Sequence, residues 1–569
     1  MRILLLTHTF NSLTQRLFAE LRADGHLVSV EFDIADSVTE EAVALFAPDV
    51  IVAPFLKRAV PESVWRRHLT LIVHPGVVGD RGPSALDWAI MNDEFDWGVT
   101  VLQAEAEMDA GPVWATREFP MREATKASLY RNEVTAGALA AVREALGHVD
   151  DWRRGVWQPV PPAHWPNARG EWRALMRQAD RRIDWAQDDT RTVLRKIRAA
   201  DGFPGVADAL FGVPCHLFDT RAGDGQGRPG EVIGRCGGAL LRATVDGAVW
   251  IGHVKRGGSD DPYKLPAALA FADEAADVPE VEGVDEIDYR ERDDGQVGFL
   301  SFDFYNGAMG PEQCRRLEAA IRQAGERPTR VLVLEGGRDF WSNGIHLNLI
   351  EAAGSAADVS WDNIQAMDDV CLAILQMTDK LTVATLRGNA GAGGCFLALA
   401  ADAVWAREGV VLNPHYKNMG NLFGSEYWTY LLPKRVGAAR ARGIMEDRLP
   451  LRAQDAVSQG LIDACFGNDL STFEREVSKR VTAMASDPGY AEHLNDKKAA
   501  RERDEAIKPL TAYRQEELQH MHRNFFGFDP SYHVARYHFV AKTPQSWTPR
   551  HLAIHREIGW QTPDTAETC

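Results

Sequence analysis

The chain has 569 residues, of which 45% are apolar and 25% charged, with a formal net charge of -18. That length exceeds what one hydrophobic core supports and predicts three domains or so. The acidic balance excludes a general nucleic-acid binder, which needs a basic surface. Seven cysteines (Cys215, Cys236, Cys314, Cys371, Cys395, Cys465 and Cys569) include no CxxC pair. They point to reduced core thiols rather than a disulfide framework, and no metal site is expected. The opening MRILLLTHTF has one basic residue and too short an apolar run for a signal peptide. No apolar stretch of about 18 residues suggests a membrane span, so a soluble cytoplasmic protein is expected.

Residues 1–165 alternate short apolar strands (ILLLTH, LVSVEF, VIVAPF, TLIVHP, GVTVLQ) with helical stretches such as Ser12 to Ala23. That rhythm predicts a parallel-sheet α/β domain. A tryptophan- and arginine-rich stretch, 151–176, reads as a connector. Residues 166–260 hold a helix and then glycine- and proline-punctuated strands, closing on GALLRATVDGAVWIGHV with Asp246-Gly247 at a hairpin turn. A small β-rich, OB-like domain is expected there. Residues 261–284 form an acidic linker, 285–470 a second α/β core, and 471–569 a charge-rich helical region.

The first domain carries VHPGVVGDRGPSALDWAI (Val73 to Ile90) and WGVTVLQAEAEMDAG (Trp97 to Gly111). A carbonyl carbon under attack develops an oxyanion that an imidazole donor stabilises, while a nearby carboxylate tunes the ring and relays protons. His74-Pro75, Arg81-Gly82-Pro83, Gly98-Val99-Thr100 and Asp109-Ala110-Gly111 together resemble the formyltransferases that use 10-formyltetrahydrofolate. RRIDW…VLRKIRAADGFPGV resembles the start of the small C-terminal domain of methionyl-tRNA formyltransferase. The resemblance implies catalytic roles for His74 and Asp109, with Arg81, Gly82, Pro83 and Gly111 at the folate site. An asparagine that those families carry two residues before the histidine is Ile72 here. The bland alternatives are a structural His-Pro turn and a helix-capping aspartate.

In the second core, VLVLEGGRDFWSNGIHL (Val331 to Leu347) and LTVATLRGNAGAGGCFLALAADAVWA (Leu381 to Ala406) each read as a buried strand, a glycine turn and a helix start. Such junctions present free backbone N–H groups at a positive helix end, suited to a developing oxyanion. Paired junctions of this kind resemble the crotonase (enoyl-CoA hydratase/isomerase) superfamily. The resemblance implies oxyanion donors at the amides of Ile345 and Gly393, with Asn343, Gly344 and Gly394 shaping the thioester cradle. Where hydratases carry catalytic glutamates, this chain has Phe396 and Tyr416. Tyr416 and Glu426 are the candidate acid/base groups; the alternatives are a satisfied core tyrosine and a solvated helix carboxylate. Asn389, His415 and His346 are weaker candidates for the same pocket.

The two modules in one chain resemble the HypX (HoxX) family of NiFe-hydrogenase maturation factors. The implied fold class is multidomain α/β: a parallel-sheet formyltransferase domain, a small β-rich domain, and a crotonase-type ββα core with a helical C-terminal region. The implied function is transfer of formyl from 10-formyltetrahydrofolate to coenzyme A, then decarbonylation of formyl-CoA to CO and coenzyme A. Folate and coenzyme A are the small molecules it implies, and NiFe-hydrogenase maturation proteins the partners. A formyl thioester has no α-carbon, so the enolate chemistry of hydratases is impossible on it. The alternatives are a bifunctional formyltransferase/acyl-CoA hydratase-isomerase and a non-catalytic maturation scaffold.

Overall fold

A computed structural model describes residues 1–258, 263–283, 285–292 and 295–557. Cys569, the ends of the acidic linker and the last residues of the helical region lie outside the described residues. Two compact units emerge: Met1–Asp184 with Arg191–Ala207 and the segment from Pro544, and Trp185–Thr190 with Asp208–Thr543.

The first unit is built on six strands, β1 (Arg2–Thr7), β2 (Leu27–Phe32), β3 (Val50–Phe55), β4 (Thr70–His74), β5 (Asp96–Gln103) and β6 (Val113–Pro120), in the order β2-β1-β3-β4-β5-β6. β1 to β4 pair in parallel. Their near-continuous apolar runs suit strands covered on both faces, and Ile3, Leu4, Leu5, Val50, Ile51 and Val52 are fully buried. β5 and β6 run antiparallel at the edge of the otherwise parallel sheet, and His74 pairs with Thr100. The β5–β6 return is a hairpin, which a parallel pairing could not close in so few residues.

The edge strand β2 is covered by the far end of the chain. Val30 N–H donates to the Leu552 carbonyl (3.0 Å) and Phe32 N–H to Thr548 Oγ1 (2.8 Å). Glu31, fully buried, accepts hydrogen bonds from Thr548 and Arg556 and meets His555 Nε2 at 2.8 Å. Burial raises the Glu31 pKa, but these partners outweigh it and leave the carboxyl below its ordinary value.

In the second unit, strands Val213–Gly223, Ala248–Arg256, Ala239–Ala243 and Val232–Cys236 lie side by side in an antiparallel sheet. Residues Lys264–Pro266 add a strand beside Ala248–Arg256, and Val281 N–H bonds the Arg235 carbonyl. A second sheet orders Ile287–Arg292, Val297–Phe302, Val331–Glu335, Leu381–Leu386, Ala403–Arg407 and Ala464–Phe466 side by side. All its pairings after the first are parallel. Helix Pro311–Glu326 starts with proline at its first position and buries Cys314, Leu317, Ile321 and Ala324, a 3-4-3 spacing that lines one face. The fold is the expected mixture of formyltransferase-type and crotonase-type α/β layers with a helical C-terminal region. No helix among the described residues is long and apolar enough to cross a membrane.

Candidate active sites

In the first unit the chain turns at the end of β4. His74, buried, approaches Asp109 with Nδ1–Oδ2 of 3.6 Å, so the structure brings the two expected residues together. Asp109 sits at φ +56° in the β5–β6 loop, and its Oδ2 accepts from Gly82 N–H at 3.3 Å. The motif residues around it have steric reasons. A Cβ on Gly111 would collide with the Gln103 carbonyl, and one on Gly82 with the Arg173 carbonyl. Thr100 Oγ1 donates to the Gly76 carbonyl at 2.8 Å, holding the turn that follows His74. Arg81 pairs with Glu107 at the mouth, and Pro83 precedes the helix Ala85–Met91. Ile72 packs with the apolar cluster around Leu4, Leu6 and Ile51.

Two residues escaped the sequence reading. Asp80 Oδ1 lies 2.8 Å from His74 Nε2, and Arg173 Nε lies 3.6 Å from Asp80 Oδ2. Asp80 falls within the quoted motif and is wholly buried there, while Arg173 comes from the connector. The Arg-Gly turn holds that connector by Arg81 N–H to the Glu171 carbonyl (3.1 Å) and Arg173 N–H to the Arg81 carbonyl (2.9 Å).

In the second unit the two glycine turns interlock. Trp341 Nε1 donates to the Gly394 carbonyl (2.9 Å), and a Cβ on Gly394 would collide with Ser342. Gly344 has φ +81°, and a Cβ there would stand 3.4 Å from the Gly393 nitrogen. Gly393 is the first residue of the helix Gly393–Leu399, so its N–H has no partner within that helix. Ala392 before it is held at φ 48°, ψ -126°, a conformation costly for a non-glycine residue. Asn343 Nδ2 donates to the Asn306 carbonyl (2.8 Å), bracing the loop that presents Ile345. Asn389 accepts from Val411 N–H (2.8 Å) as a structural link. His346 caps the helix Leu347–Ala352, accepting from Leu349 N–H through Nδ1, and burial lowers its pKa to about 3.

Glu426 is buried against this double turn: a Cβ on Gly393 would stand 2.6 Å from Glu426 Oε1. Tyr416 Oη lies 2.5 Å from Glu426 Oε2 and donates to the Ser425 carbonyl at 2.9 Å. Phe396 stacks on Tyr416 with ring centroids 5.4 Å apart, closing the apolar side. Burial, and then the Asp368 charge, hold the Glu426 pKa well above the ordinary carboxylate range. Glu426 and Tyr427 are consecutive left-handed residues, φ 61° and 59°, each costing on the order of 1–3 kcal/mol. Two buried carboxylates hold them. Asp368 accepts from Ser425 Oγ and from Glu426 N–H (2.8 Å), and Glu517 from Tyr427 N–H (2.9 Å) and Thr429 N–H (2.8 Å). The sequence did carry a signal for both. Asp368 lies on the buried face of its helix with Ile364 and Cys371, and Glu517 between Leu510 and Met521 on another. A carboxylate inside an apolar helical stripe is paired or functional.

A buried imidazole with flanking carboxylates, and paired glycine turns seated on a buried glutamate, fit a protein joining a formyltransferase-type module to a crotonase-type one. A family model described as enoyl-CoA hydratase/isomerase matches residues 306–550, and one described as formyl transferase, C-terminal domain, matches residues 175–261. The chain is 56% identical over 98% of its length to a hydrogenase maturation factor HoxX of Bradyrhizobium diazoefficiens, of which it covers 97%. It superposes on HypX from Aquifex aeolicus in complex with tetrahydrofolic acid with a TM-score of 0.93 and 48% identity, covering 99% of this chain and 100% of that one. A methionyl-tRNA formyltransferase of Pelobacter propionicus is 28% identical over 38% of this chain and 67% of its own length. The chain therefore belongs to the HoxX/HypX family of hydrogenase maturation factors.

Proposed function

We propose that this protein makes carbon monoxide for NiFe-hydrogenase maturation in the cytoplasm, in two steps on two sites. At the first, formyl passes from 10-formyltetrahydrofolate to the thiol of coenzyme A. His74 Nδ1 faces the formyl oxygen and Asp109 sits beside it, with Arg81, Gly82, Pro83 and Gly111 shaping the folate pocket. The tetrahydrofolate held by the Aquifex relative supports this donor.

At the second site formyl-CoA is split into CO and coenzyme A. The amides of Ile345 and Gly393 polarise the formyl oxygen, with Asn343, Gly344 and Gly394 forming the cradle. Glu426 takes the formyl proton, the C–S bond breaks, CO leaves with the carbon lone pair, and the proton returns through Tyr416 to the thiolate. One observation carries this reading: the Glu426 carboxylate rests directly on Gly393 while hydrogen-bonded to Tyr416. A base above the ordinary carboxylate range suits abstraction of a formyl proton in a site closed to water. Hydrogenase maturation proteins are the partners that would receive the product. The deciding experiment supplies purified protein with formyltetrahydrofolate and coenzyme A and reads CO binding to a haem reporter. CO should appear only with both substrates, and its absence with crotonyl-CoA turnover instead would replace this reading with that of an acyl-CoA hydratase.

A further inference from the structure

We propose that Asp80, backed by Arg173, is a positioning residue for His74 and makes its Nδ1 the base for a thiol nucleophile. This rests on the formyl-transfer reading above and adds the group that sets the ring's proton.

The tight partner of His74 is Asp80, at 2.8 Å from Nε2, whereas Asp109 stands 3.6 Å from Nδ1. Side-chain exposure rises from 0% at Asp80 through 5% at His74 to 11% at Asp109, so Asp80 is the floor of the site and Asp109 its reactant side. Local sterics are arranged for that contact. A Cβ on Gly76 would stand 2.5 Å from His74 Nε2 and 2.7 Å from Asp80 Oδ1, and one on Gly170 would collide with the Asp80 backbone. Gly170 N–H bonds the Val78 carbonyl (3.0 Å), so the connector is drawn down onto the turn and delivers Arg173. The Arg173 guanidinium lies 5.5 Å over the Trp97 ring and 3.6 Å from Asp80 Oδ2. It also reaches Glu94 at 3.5 Å and Glu171 at 3.4 Å. Asp80 Oδ2 and Arg173 Nε and Nη1 are buried without a hydrogen-bond partner among the described residues, so the charge pair faces itself across a small gap. With Ile72 packed into the apolar cluster around Leu4, Leu6 and Ile51, that position offers the ring no side-chain donor, and the ring has its orientation from Asp80.

An ionised carboxylate only accepts hydrogen bonds. Asp80 therefore keeps a proton on Nε2 and leaves Nδ1 directed across the 3.6 Å gap to Asp109. Two acceptor atoms facing each other across that gap leave a place for one incoming proton between them. A thiol must lose its proton to become a competent nucleophile, whereas a neutral amine attacks without doing so. As sulfur bonds the formyl carbon, the S–H proton moves to Nδ1, and the resulting N–H donates to the new oxyanion. On collapse the carbon–N10 bond breaks and that proton passes to N10, giving a formyl thioester and tetrahydrofolate. No proton or electron is left over.

The test begins on the unaltered chain. With 15N-histidine labelling, and His74→Ala to assign the signal, Nε2 should carry the proton in the resting enzyme; an Nδ1–H tautomer with bare Nε2 overturns the proposal. Asp80→Asn should lower kcat for transfer to coenzyme A at least about 10-fold, with KM for formyltetrahydrofolate within about twofold. In a His74→Ala background the same change should cost nothing further, because Asp80 acts only through the ring. Parental kcat in Asp80→Asn, or an additive loss in the double variant, sinks the role of Asp80 while leaving formyl transfer standing. Parental transfer in His74→Ala alone would overturn the underlying reading as well.

Discussion

Glu426 and Gly393 meet with no room between them for a methyl group: a Cβ built on Gly393 would stand 2.6 Å from Glu426 Oε1. Gly393 has no left-handed backbone, so its glycine is demanded by this approach rather than by φ. Gly393→Ala should fold and retain coenzyme A, yet displace the carboxylate and cut CO release about 100-fold, the scale of losing an oxyanion-hole interaction. Parental CO output from that variant would detach Glu426 from the chemistry.

Glu426→Gln keeps the shape and removes the charge, and Tyr416→Phe keeps the ring and removes the hydroxyl. Each should lose CO production by about 100-fold or more while formyl transfer continues, so formyl-CoA accumulates. Chromatography of acyl-CoA species alongside the haem reporter checks both halves of that statement.

The three buried carboxylates of this site, Glu426, Asp368 and Glu517, are all held above their ordinary values: Glu426 and Glu517 first by burial and then by the Asp368 charge, and Asp368 by burial with a smaller push from Asp369. On the proposed mechanism CO release needs ionised Glu426, so it should rise with pH well beyond the ordinary carboxylate range. Stability runs the other way. The folded state binds these protons more tightly than the unfolded chain, so the contribution is complete below the unfolded values of 3.8 to 4.5 and is lost as pH climbs through the raised ones. Thermal midpoints across pH should show this decline, and Glu426→Gln should flatten it.

At the other site, His74→Ala and Asp109→Asn should each reduce formyl transfer to coenzyme A about 100-fold without unfolding. CO release from supplied formyl-CoA should be untouched, and a stopped assay with each substrate separates the two.

Glu31 and His555, 524 residues apart in the chain, meet at 2.8 Å with both side chains fully buried. Ending the chain at Thr543 should destabilise the first unit by about 3 kcal/mol, the scale for breaking a buried charged pair. Limited proteolysis should then cut near β2. An unchanged thermal midpoint and cleavage pattern would make the tail ornamental. Any separation of the two modules by truncation has to reckon with this strap, which a cut at residue 285 also removes.

The motif residues were legible because short-range sterics write them into the sequence. Gly82 and Gly111 pass under backbone carbonyls that would strike a Cβ, and Gly344 needs its positive φ. His74 ends β4 and Asp109 stands in the β5–β6 loop, and the pattern of short apolar strands marked the six-stranded sheet of the first unit. The antiparallel β5 and β6 were less visible, since strand direction is set by pairing partners that an apolar run does not name.

By itself, then, the sequence determined the two module types, the position of the paired glycine turns, and the presence of Phe396 and Tyr416 rather than carboxylates near them. Only the tertiary structure decided the ionisation environment of those turns. Asp80 meets His74, Arg173 arrives from the connector, Asp368 and Glu517 arrive from two separate helices, and residues 544–557 return to cover β2. The physical reason is range. Backbone conformation is fixed by neighbours a few residues away, whereas a buried charge is fixed by whatever distant segment lies within a few ångströms of it.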